Sequence, residues 1–146
     1  MVKILRYLWQ LPQNLLAVIL LLCLTKIARK SAQKEVYKGV RYYWVKDWCN
    51  GVSLGDYVLL GTVYHNPTGH TQEHEWGHTR QSLIFGPLYL LLIGLPSASG
   101  NLWSRIAHKG WSYKARSKWY YSQPWEHWAD KLGGVTRWWQ STRDKL

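Results

Sequence analysis

Apolar positions crowd the start of the chain. Residues 15–24 read LLAVILLLCL, and between Tyr7 and Thr25 only Gln10, Pro12, Gln13 and Asn14 stand out as polar or helix-breaking interruptions. Wound as a helix, residues 7–25 rise about 28 Å, barely the thickness of a bilayer core. Lys3 and Arg6 precede the run, and Lys26, Arg29, Lys30 and Lys34 follow it. The heavier positive flank is C-terminal, which by the positive-inside rule turns the rest of the chain toward the cytoplasm. The pattern predicts an N-terminal membrane anchor over 1–30 and a main domain over 31–146. A cleaved signal sequence and a buried core helix are the competing readings; the first lacks a small-x-small cleavage site before Lys26.

The texture then changes. VRYYWVK and LGDYVLLGTVY, within 36–64, are rich in β-branched and aromatic residues and flank the turn-forming stretch Asp47 to Gly51. They predict two or three antiparallel strands, with Asn50-Gly51 and Gly55-Asp56 as tight turns. Asn66-Pro67-Thr68-Gly69 breaks this pattern, and Thr71 is placed to cap a helix running to about Phe85, where Gly86-Pro87 stops it. The apolar segment between Pro87 and Pro96 is too short as a helix to cross a bilayer and reads as buried or re-entrant. A last helix starts after Pro124 and ends at Gly133-Gly134. The elements add up to an α+β fold.

Composition narrows the partners. The chain has 146 residues, 47% hydrophobic, so it can bury a core and is no disordered tail. It carries 19 Lys and Arg against 8 Asp and Glu, a net charge of +11, and has 11 Trp and 10 Tyr beside one Phe. Aromatic rings with a polar handle favour wet boundaries, and the charge favours an anionic surface. Arg105, Lys109, Lys114, Arg116 and Lys118 alternate with Trp103, Trp111, Tyr113 and Trp119 to Tyr121. Membrane lipid fits this stretch better than nucleic acid, since no specific nucleic-acid motif accompanies it. Two cysteines, Cys23 and Cys49, make no framework and no redox motif.

The sharpest chemical signal is His74-Glu75-Trp76-Gly77-His78, an HExxH motif on the predicted helix. Histidines four apart lie on one helical face and converge on one zinc ion, while the intervening glutamate sits beside the water that the metal acidifies. Gly77 costs helix stability, about 1 kcal/mol against Ala, which makes sense where a close-packing element needs the room. A catalytic zinc needs a third protein ligand. Glu126, in Pro124-Trp125-Glu126-His127-Trp128-Ala129-Asp130, is one candidate; Asp130 shares its helical face and would accept a hydrogen bond from a ligating histidine. His127 and His108 are the alternative ligands, or donors to an oxyanion together with Tyr120 and Tyr121.

HExxH followed at a distance by ExxxD resembles the gluzincin branch of the zincin metallopeptidases. The longer string HEWGHTRQSLIFGPLYLLLIGLPS is also similar to small, largely uncharacterised bacterial membrane-associated proteins regarded as metallopeptidases. The resemblance implies a small zincin-like domain with a short antiparallel sheet, an active-site helix and C-terminal helices. It implies His74, His78 and Glu126 as zinc ligands, Glu75 as general base and acid, and Asp130 behind a ligand. The function expected is hydrolysis of a peptide or protein substrate at a membrane, with a protein partner able to supply specificity to so short a chain. The alternatives are a metal-binding protein without catalysis and a basic-aromatic membrane-surface binder.

Overall fold

A computed structural model describes residues 3–48, 51–62 and 70–140. Asn50 and the segment Asn66 to Gly69, both expected as turns, lie outside the described residues. The chain forms α1 (Lys3–Trp9) and α2 (Leu11–Leu22), the latter extended by a π-helical turn to Ile27. Four strands follow: β1 (Ala32–Tyr37), β2 (Val40–Val45), β3 (Gly51–Leu54) and β4 (Tyr57–Gly61). Then come α3 (His70–Phe85), α4 (Leu95–Ala107), α5 (Tyr113–Tyr121) and α6 (Pro124–Gly133). The α+β expectation holds.

The sheet corrects the all-antiparallel expectation. Its order is β1-β2-β4-β3, with β2 and β4 parallel and the other two pairs antiparallel. The hairpin turn at Gly55-Asp56 does form, but it folds β3 onto the outer side of β4, leaving β4 to lie beside β2. Val40, Tyr42, Val58 and Leu60 alternate along β2 and β4 and form the core against Trp76 of α3. Ser53 pairs with Val58 and so shares this face.

The N-terminal run does not make one spanning helix. Among the described residues no single helix is long and apolar enough to cross a membrane, and α1 meets Leu11–Ile27 at 81°. The interruptions in the run are the reason. Gln10, Gln13 and Asn14 are fully buried, whereas Leu11, Leu15, Leu16, Ile19 and Leu22 are exposed. The Asn14 side-chain oxygen accepts the Asp56 N–H at 2.8 Å, and the Gln10 amide and Arg6 donate to the Asp56 carboxylate. The Gln13 amide donates to Ser82 Oγ and to the Gly86 carbonyl at 3.0 and 2.8 Å. Polar positions thus dock α2 onto the domain, and the leucines face outward.

Helix α3 ends where Gly86 takes a φ of +52°, as expected of the Gly-Pro stop. Thr71 lies inside α3 rather than ahead of it. Helical turns resume at once through the π-helical Leu90–Gly94 into α4, and Pro96 comes just after that π-helical turn. The segment after Pro87 is therefore not buried as a whole: Tyr89 and Ile93 point inward, while Leu88, Leu91, Leu92 and Leu95 are exposed. At the far end α6 takes in Pro124 itself and ends as expected, with Gly134 closing it in the left-handed conformation at φ 74°.

Candidate metal centre

Two antiparallel helices build the site. Where α3 crosses α6, a Cβ on Gly77 would lie inside the Ala129 carbonyl, and one on Gly133 would lie inside the Glu73 carbonyl. Each helix therefore presents a glycine to the other's backbone, and the axes close to a distance that no side chain permits. This contact lines up residues 73, 74, 77 and 78 of α3 with 133, 130, 129 and 126 of α6. His74 consequently meets Asp130, and His78 meets Glu126.

Glu126 Oε2 lies 3.0 Å from His74 Nε2 and 3.2 Å from His78 Nε2. All three residues are buried, Glu126 completely. The outer nitrogens are fixed from behind. Asp130 accepts a hydrogen bond from His74 Nδ1 at 2.7 Å and is itself held by Arg137 through two contacts of 2.7 and 2.8 Å. His78 Nδ1 faces Gln81 Oε1 at 2.7 Å; the Gln81 amide donates to the Trp125 carbonyl at 2.8 Å, which leaves its oxygen for the imidazole. Both Nδ1 atoms are thus donors, so in the neutral rings both Nε2 atoms carry lone pairs aimed at a carboxylate oxygen. Among the described residues, Glu126 Oε1 is buried and has no close hydrogen-bond donor. Three acceptors facing one another need a cation between them.

A proton is one such cation. Burial opposes charge on His74, but the bonds to Asp130 and Glu126 outweigh it and lift its pKa to about 9. Burial also works against the Glu126 carboxylate, yet the adjacent histidines hold its pKa well below the ordinary range. Asp130 is likewise depressed by His74 and Arg137 against its own burial. A metal ion is the other cation. The ligating atoms of His74, His78 and Glu126 lie within 4.8 Å of one another and can hold one. A tetrahedral ion with ligands at about 2.0–2.2 Å sets them roughly 3.3–3.6 Å apart, near the 3.0 and 3.2 Å that separate Glu126 Oε2 from the two imidazole nitrogens.

Glu75 sits on the sheet side of α3. Ser53 of the outer strand donates to its carboxylate at 2.5 Å, and Tyr89 donates to the Ser53 carbonyl at 3.0 Å. Tyr121 packs edge-on against His74 with centroids 5.0 Å apart, and the Arg137 guanidinium lies 3.7 Å above the same tyrosine ring. Tyr120 bonds Ser97 at 2.9 Å. Burial, then the Glu126 charge, pushes its phenol well above the ordinary range; Tyr121 is raised by burial despite Arg137.

The other two ligand candidates lie elsewhere. His127 points its Nδ1 at Gln140, 3.1 Å away, and His108 stacks on Trp111 with centroids 3.9 Å apart. Neither belongs to the three-residue group. Ser53, Gln81 and Arg137 are the contributors that the sequence does not announce. Gln81 had a local signal, three residues past His78 on the same helical face. Ser53 and Arg137 had none, because strand order and the turn after α6 bring them in. No protein-family model, curated protein or solved structure matches the chain, so its site is assigned from geometry.

Proposed function

We propose that the chain is a zinc-dependent peptidase, and the observation that carries this reading is the convergence of His74 Nε2, His78 Nε2 and Glu126 Oε2 with Glu75 beside them. Two imidazoles and one carboxylate are a donor set suited to zinc, and three protein ligands leave a fourth position for chemistry. Zinc bound there supplies Lewis acidity, polarising a carbonyl and acidifying water. Glu75 takes the proton of the attacking water and returns it to the leaving amine. The Ser53 hydroxyl orients the Glu75 carboxylate. Tyr120 and Tyr121, both protonated at neutral pH, are the candidate donors to a developing oxyanion. Asp130 and Gln81 hold the two imidazoles in the tautomer that ligation requires.

The near-complete burial of the three ligands favours a second reading, in which the metal braces α3 against α6 without turnover. Glu75→Gln separates them. A peptidase loses hydrolysis of an unfolded protein substrate by at least about a hundredfold while keeping its zinc, and His74→Ala loses the zinc itself. Stoichiometric zinc without hydrolysis in the wild type establishes the bracing role; no zinc in the wild type overturns both readings.

A further inference from the structure

The surface of this protein is divided unevenly. Of the 22 large apolar side chains that are exposed among the described residues, 18 fall in two segments, 4–27 and 84–106. The segments meet in space. The Trp9 indole donates to the Leu83 carbonyl at 2.9 Å, its ring closes over Gly86, and Gln13 bonds the Gly86 carbonyl. The bend between α1 and α2 is thus seated on the turn between α3 and α4, and the outward leucines of both segments extend from one junction.

Charge identifies what covers this surface. Neither 1–34 nor 76–125 contains an Asp or Glu, so both apolar segments and their flanks are exclusively basic. Lys3, Lys26, Arg29, Arg105 and Lys109 are exposed at or just beyond the segment ends. Trp9, Trp103 and Trp111, also exposed, are the residue type that settles at headgroup depth. An apolar surface with basic flanks and indole rings matches the acyl boundary of a bilayer with anionic headgroups. A spanning arrangement is poorly matched: Leu11–Ile27 rises only about 25 Å against a core of about 30 Å, and its buried side is tied to Asp56, Ser82 and Gly86.

We propose that residues 4–27 and 84–106 together seat the protein in one leaflet of an anionic membrane, without crossing it. Docking of this kind draws on burial of the leucines and on attraction between the basic flanks and the lipid headgroups. It is independent of turnover at the metal centre.

The test uses the purified full chain with vesicles of phosphatidylcholine, with and without phosphatidylglycerol. Wild type floats with the vesicles, more completely when they are anionic. Leu91→Glu with Leu95→Glu, both at exposed positions, weakens partition by at least about tenfold. Circular dichroism and metal content check that this variant is folded, and Ile106→Glu repeats the test at a separate exposed position. Topology comes from Lys3→Cys and Lys30→Cys, each made with Cys23→Ser and Cys49→Ser, added to preformed sealed vesicles and treated with an impermeant maleimide. Both labelled from outside supports one-leaflet docking; protection of either overturns it. Flotation unchanged in the folded variants, or a wild type that ignores vesicles and self-associates through this surface, also overturns it.

Discussion

Replacing Gly77 by Ala sets two effects of opposite sign against each other. Helix propensity favours the change by about 1 kcal/mol, because glycine loses the most backbone entropy in a helix interior. Packing opposes it. The new Cβ would stand 2.0 Å from the Ala129 carbonyl oxygen, 2.7 Å from its carbon and 3.0 Å from the Cα, where relaxed contacts between carbon atoms need about 3.5–4.0 Å. Backbone is on the other side, with no flexible side chain to yield, so α6 must retreat by roughly 1 Å or more. Overpacking of this kind costs about 1–3 kcal/mol. The net expectation is a loss of about 1 kcal/mol, a fall in melting temperature of roughly 2–4 °C for a chain of this size.

The larger effect falls on the metal. Ligand distances tolerate about 0.2 Å, and Glu126 rides on the helix that moves. Zinc affinity in Gly77→Ala should drop by at least about tenfold. Thermal unfolding with chelator present measures the first quantity, and competitive zinc titration measures the second. Gly110→Ala is the control, since a Cβ there meets nothing within 4 Å. If Gly77→Ala melts at or above wild type and binds zinc equally well, the close crossing of α3 and α6 does not exist as described, and the argument for Glu126 as a ligand fails with it.

Two further predictions concern the same centre. The His74 pKa of about 9 exceeds its unfolded value of 6.5, so the stabilisation of the metal-free fold from this histidine is complete below pH 6.5 and lost as pH rises through 9. On the proposed reading, zinc bound by His74 would displace that proton; apparent affinity should then climb about tenfold per pH unit toward 9, and calorimetry in buffers of different ionisation enthalpy should record one proton released per zinc at pH 7.5. An affinity flat in pH would contradict the assignment. Asp130→Asn keeps the shape behind His74 but removes the charge shared with Arg137, and it should weaken zinc about 10- to 100-fold by competitive titration. Unchanged zinc affinity in that variant would remove Asp130 from the site.

What the sequence could determine by itself was local. HExxH is legible because residues four apart on any α-helix share a face, whatever packs against it. Gly86-Pro87, Pro124 and Gly133-Gly134 mark helix ends for equally local reasons of backbone geometry. Tertiary structure decided the rest. Glu126 and His127 are neighbours in sequence, yet about 100° apart around α6. Only the glycine contact between α3 and α6 fixes the rotation that turns Glu126 inward and leaves His127 against Gln140. The parallel β2–β4 pair places β3 at the outer edge, and that order alone brings Ser53 to Glu75. Hydropathy read residues 7–25 as one apolar rod, while the partners of Gln10, Gln13 and Asn14 lie tens of residues away in sequence. Buried polar groups must find hydrogen bonds, and where those bonds are found sets which side of the helix faces inward.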